Sequence, residues 1–152
     1  MNRFSQEKQS RLLELLGEEL TLFEKVRELT DKQTELIKTD ETDAFNESLD
    51  RRWELIEKIN GLHQETDVLM QSYISFSSSA GGAKAVNVET AAEKLRGLIA
   101  ECASMNDSNL AMAMEMAEGY TERIDRLSLG RKSLEAYAQS VPNSPKHFDQ
   151  KT

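Results

Sequence analysis

Leu110-Ala111-Met112-Ala113-Met114-Glu115-Met116-Ala117 is the stretch on which the fold turns. It lies inside the last and longest run of helical apolar spacing in the chain. Eight residues make about two helical turns and cover the whole circumference, and Glu115 is the one polar side chain among them. Continuous helix through this stretch gives one long final helix. A surface helix needs only one apolar stripe, so the surplus apolar surface is either buried at the centre of a bundle or offered to another chain. Three of the eight residues are methionine, whose flexible side chain suits surfaces that must fit more than one shape.

Around that stretch, Ala92, Leu95, Ile99, Cys102, Asn106, Asn109, Ala113, Met116, Tyr120 and Leu127 hold three-four spacing. They predict a third helix over residues 88–129, capped by Asn87 and stopped by Gly130, with a weaker pattern running on to about Ala138. Upstream, Ser77 to Asn87 is rich in serine, glycine and alanine and reads as a flexible linker. The second helix is predicted over 41–76. Its seam is Phe45, Leu49, Ile56, Ile59, His63, Met70 and Tyr73, beside a seven-residue column of Leu55, Leu62, Leu69 and Phe76, with Trp53 on the flank. The first helix is predicted over 5–38. It carries one stripe through Leu12, Leu15, Leu22, Val26, Leu29 and Leu36, and an adjacent row of Leu13, Leu16, Leu20 and Phe23. Thr39 to Thr42 make a short turn that forces helices one and two into a hairpin, with Asp40 as a candidate cap for helix two.

The expected fold is therefore all-α, an elongated antiparallel three-helix bundle with coiled-coil-like packing, forming one domain over residues 1–139. Residues 140–152 hold both prolines, Pro142 and Pro145, and almost no apolar side chains, so they read as a disordered tail. The chain has 152 residues, which fits one domain, and 38% apolar with 6% aromatic content implies a thin aliphatic core.

A formal net charge of −8 disfavours nucleic acid and anionic membrane surfaces, which need clustered lysine and arginine. No apolar run approaches a membrane span, and the amino-terminal residues lack a signal-peptide core. The single cysteine excludes an internal disulfide, and a reducing, cytoplasmic setting is the simple reading. Catalytic signatures are missing. His63 and His147 lie far apart, and His63 falls on a helical seam, where it reads as a core or boundary side chain. Asn60 stands where a Glu-x-x-His metal motif would need its glutamate. Cys102 reads as a small buried apolar residue, and Gly81-Gly82 is not followed by the lysine and hydroxyl of a phosphate loop. The sequence implies no enzyme, no metal and no cofactor. Asn106 and Asn109 on the third seam either fix helix register or offer hydrogen bonds to a bound chain.

Several stretches resemble the flagellar export chaperones of the FlgN type. They are Leu12 to Glu24, the turn Glu35 to Asp40, the opening Asp43-Ala44-Phe45 with Arg51-Arg52-Trp53-Glu54-Leu55-Ile56, the asparagine pair in Asn106-Asp107-Ser108-Asn109-Leu110, and Phe148-Asp149-Gln150-Lys151. The resemblance implies a small cytoplasmic chaperone that binds the C-terminal segments of hook-associated (hook–filament junction) proteins. It would keep them unassembled and deliver them to components of the flagellar type III export apparatus. The partner-binding row expected on helix three is Asn109, Met112, Met116, Tyr120, Ile124 and Leu127, with Tyr120 as anchor. The competing reading is a structural coiled coil that self-associates, as a homodimer, through helix three.

Overall fold

The computed structural model of the protein describes residues 4–79, 82–116 and 121–140. Among them are four helices and no strand: α1 (Gln6–Lys38), α2 (Thr42–Ser78), α3 (Val86–Glu115) and α4 (Thr121–Ser140). The expected third helix over 88–129 is thus two helices, which corrects the three-helix bundle to four helices. Gly130, read as a stop, lies inside α4. The tail over 141–152 lies outside the described residues.

Each long helix is built on a seam that alternates steps of three and four. In α1 it runs through Leu16, Glu19, Phe23, Val26, Thr30, Gln33 and Ile37, all buried. In α2 it runs through Phe45, Leu49, Arg52, Ile56 and Ile59 and resumes at Thr66, Met70 and Tyr73. In α3 it is Val88, Ala92, Leu95, Ile99, Cys102, Asn106, Asn109 and Ala113. A mean repeat of about 3.5 residues keeps such a seam facing its neighbours along a helix of any length. At ~1.5 Å per residue, α1 and α2 are each some 50 Å long, about twice the length of α4.

The ends of these helices follow local chemistry. Ser5 caps α1, its Oγ accepting from Lys8 N at 3.1 Å. Asp40 takes the left-handed conformation, φ 56°, and ends α1 instead of capping α2. From there Asp40 N donates to Ile37 O at 3.3 Å and Glu41 N to Leu36 O at 3.1 Å, which occupies the last carbonyls of the helix. Asn87 likewise is not the cap but the second residue of α3, whose cap is Ala85. Its Oδ1 accepts from Val88 N at 2.9 Å and from Gln9 Nε2 of α1 at 3.3 Å. In the α2–α3 connection, Gly82 N donates to Ser79 O at 3.0 Å, and a Cβ at Gly82 would overlap the Phe76 carbonyl oxygen. Tyr73 Oη accepts from Ala85 N at 2.8 Å and ties the start of α3 to the end of α2.

Helix α1 packs against α2 and α3, and α4 packs against α3 and α2. The ring order is therefore α1–α2–α4–α3, with α1 opposite α4 and α2 opposite α3. Contacts fix the directions. Gln9 meets Asn87 and Thr34 meets Asn109, so α1 and α3 are parallel. Asp50 pairs with Arg126 and Asn60 with Tyr137, so α2 and α4 are parallel too. Across one diagonal, the rings of Phe23 and Tyr137 meet edge-to-face at 5.6 Å. The main core joins Leu12, Phe23, Ile59, Tyr73, Ile99 and Leu134. A second apolar cluster at the α1–α2 turn joins Leu36, Ile37, Phe45, Leu49, Leu110, Ala113 and Leu127.

Candidate partner-binding face

The second cluster carries the methionine-rich end of α3. Its seam turns Leu110 and Ala113 inward against the α1–α2 hairpin, and α4 returns along α3 to add Leu127. Two turns of helix that are apolar on every side cannot all point into that core. Met112 is half-buried and packs on the cluster's edge, as does Ile124 of α4. Met114 is 56% exposed and Met116 37% exposed. The stretch thus serves as core on one side and leaves three methionine side chains wholly or partly open on the other.

The six residues expected to form one binding row fall into three groups. Met112, Met116 and Ile124 have accessible surface at this end of the bundle. Asn109 and Leu127 are buried, at 1% and 0% exposure, and in this conformation both are spent on internal packing. Tyr120 lies outside the described residues. Three-four spacing aligns these residues along a single helix, but α3 ends at Glu115 and α4 starts at Thr121, so the described members stand on two helices.

Asn109 shows how that end is held. Its Nδ2 donates to Thr30 O at 2.9 Å, and its Oδ1 accepts from Thr34 Oγ1 at 2.6 Å. One amide thereby locks α3 to α1 at a single register, the use to which a lone polar residue is put in coiled-coil seams. Asn106 does the same between α3 and α4, its Nδ2 donating to Leu127 O at 3.0 Å, while its Oδ1 has no partner among the described residues. Lower in the bundle, His63 Nδ1 lies 3.1 Å from Glu19 Oε1 and its ring meets Tyr137 edge-to-face at 5.0 Å. Burial pushes the Tyr137 hydroxyl well above the usual tyrosine range. Cys102 is buried, with Sγ 3.7 Å from Phe23 O, and burial pushes its thiol up to about 12. No group of three or more His, Cys, Asp or Glu side chains is placed to hold a metal ion among the described residues.

Six buried polar side chains are not anticipated by the sequence: Glu19, Thr30, Gln33, Ser48, Arg52 and Thr66. Arg52 is the most unusual. Its Nη1 donates to Gln33 Oε1 at 3.3 Å, whereas Nε and Nη2 have no acceptor among the described residues. Desolvation draws its pKa down to about 10. The signal for these residues was present, since Arg52 lies between Leu49 and Ile56, and Thr66 between His63 and Met70, at seam spacing. Counting steps through polar positions would have found them.

Fold and face together define a class, a small helical bundle with flexible apolar side chains exposed at one end. The family model described as FlgN protein matches residues 1–137. The chain belongs to the FlgN family, the family of flagellar export chaperones. No curated protein and no solved structure matches it. None of the helices among the described residues is long and apolar enough to cross a membrane.

Proposed function

We propose that the protein is a cytoplasmic chaperone for hook–filament junction proteins. It would bind their C-terminal segments, prevent premature assembly and pass them to the export apparatus, with no nucleotide or metal taking part. The observation that carries the reading is the split character of Leu110 to Met116, core on one side and open methionine on the other. A client helix laid along Met112, Met116, Tyr120 and Ile124 would bury mainly apolar area, and Asn109 and Leu127 would support that row from beneath. The coiled-coil alternative has less in its favour, because the heptad seam of α3 is occupied by α1 and α4 of the same chain.

Calorimetric titration with a C-terminal fragment of a hook–filament junction protein tests this. Paired alanine substitution of Met116 and Tyr120 should weaken binding by roughly 2–4 kcal/mol, since a few well-packed side chains carry most of an interface. Circular dichroism should show the helical content retained. Unchanged affinity in the double variant would move the client site elsewhere on the bundle.

A further inference from the structure

Each of the three long helices contains one glycine: Gly17 in α1, Gly61 in α2 and Gly97 in α3. All three face solvent, and a Cβ at any of them would meet nothing within 4 Å beyond its own helix backbone. Close packing therefore does not require them, although each weakens its helix about fivefold relative to alanine. They lie at one level of the bundle. His63, two residues past Gly61, meets Glu19, two residues past Gly17. Cys102 lies beside Phe23 and Glu101 pairs with Arg27, pairings 79 and 74 residues apart that set Gly97 opposite positions 18–23 of α1. The same level departs from regular packed helix in three further ways. Thr21 Oγ1 donates back to Gly17 O at 3.0 Å and Thr66 Oγ1 to Leu62 O at 3.2 Å, a bond that favours helix bending. The core carries a polar pair there, and the fully buried Glu19 has an Oε2 with no partner among the described residues. Helix α4 also stops close by, since its Tyr137 pairs with Asn60 and its last residue is Ser140.

We propose that this level is a bending joint, at which the end of the bundle formed by α1, α2 and α3 swings as one body against the four-helix remainder. Glycines scattered along the bundle would each be braced by unbroken helix on either side. Aligned, none braces the others, and a bend needs its weak points in register across all the helices it crosses. Each of the two bodies is tied internally. Gln9 with Asn87 and Arg11 with Glu65 join the three helices below the joint, and the bonds of Asn106 and Asn109 fix register above it. The Met112–Met116 surface lies on the four-helix side, so the joint stands whether or not that surface holds a client.

Amide hydrogen exchange on the full chain tests the joint. The amides of Glu18–Thr21, Leu62–Glu65 and Leu98–Glu101 should exchange at least about tenfold faster than those two turns away on either side, as amides at a local opening do. A single substitution, Gly61→Ala, should slow exchange about fivefold in α1 and α3 as well as in α2, because one joint has one opening equilibrium. Combined Gly17→Ala, Gly61→Ala and Gly97→Ala then locks the joint. Spin labels at Ser10→Cys and Ser108→Cys, one on each side of it, should give a broad distance distribution in the parent and a narrow one in the locked chain, with the buried Cys102 left in place. Circular dichroism melts establish that every variant is folded. Exchange at this level no faster than in the flanks, slowing confined to α2 in Gly61→Ala, or a parent distribution as narrow as that of the locked chain would each overturn the proposal.

Discussion

Cys102 is the chain's single thiol, and its surroundings decide its reactivity. Burial raises its pKa from 9.0 to about 12. A raised acid contributes stability that is complete below the unfolded value and is lost as pH climbs from about 9 towards 12. At pH 8 the folded thiol is protonated and enclosed, so iodoacetamide should label it at the rate of unfolding, as read by mass spectrometry with and without urea. Rapid stoichiometric labelling of the native protein would contradict this burial. Leu20 and Met114 form a second contrast. Leu20 is half-buried against the main core, where a carboxylate loses hydration without gaining a partner, at several kcal/mol. Met114 faces outward. Leu20→Asp should therefore collapse the thermal melt and Met114→Asp should leave it within a few degrees of the parent. The apolar seam residues Phe45, Ile56 and Tyr73 were legible in the sequence because their types and spacing agreed. Glu19, Gln33 and Arg52 were not, because residue type pointed outward while spacing pointed inward, and in a seam the spacing prevails.

At the level of helices, the break between α3 and α4 was the feature that periodicity could not reveal. Ala113, Met116, Tyr120, Ile124 and Leu127 keep three-four steps straight across it, so the apolar count is the same for one continuous helix and for two antiparallel ones. Gly119 was the sequence signal, a residue that costs about 1 kcal/mol inside a helix relative to alanine. Gly130 misled in the opposite sense. It lies within α4, packed beside the Arg52 guanidinium, and no helix ends there. The asparagines, by contrast, were correctly placed on the seam by spacing, and the structure assigns each its contact. Asn106 donates to a backbone carbonyl of α4, while its own oxygen is buried with no partner among the described residues. Replacing it by an apolar side chain of similar size removes a buried polar cost. Asn106→Leu should raise the midpoint of thermal unfolding by about 2–4 °C per kcal/mol gained, measured by calorimetry, at the expense of the register that Asn106 sets. A lowered midpoint would mean that its bond to Leu127 O outweighs the stranded oxygen.

For the molecule as a whole, the ring order α1–α2–α4–α3 has consequences for how the chain comes together in time. The α1–α2 hairpin closes across a turn of a few residues, but the α1–α3 seam joins positions 74 to 79 apart in sequence. Bringing such distant segments together costs chain entropy before any contact rewards it. With α2 already laid along α1, the effective loop shrinks to the short connection at Ser79 to Ala85. On this argument the hairpin should form first as the template, docking of α3 should be the slow event, and α4 should join last. Stopped-flow folding would read this order directly. Ile59→Val, inside the hairpin's core, should slow refolding, whereas Leu134→Ala on α4 should leave the refolding rate unchanged and speed unfolding alone. A protein assembled in this sequence should give up its last helix first, so α4 is expected to be the part of the bundle with the shortest lifetime.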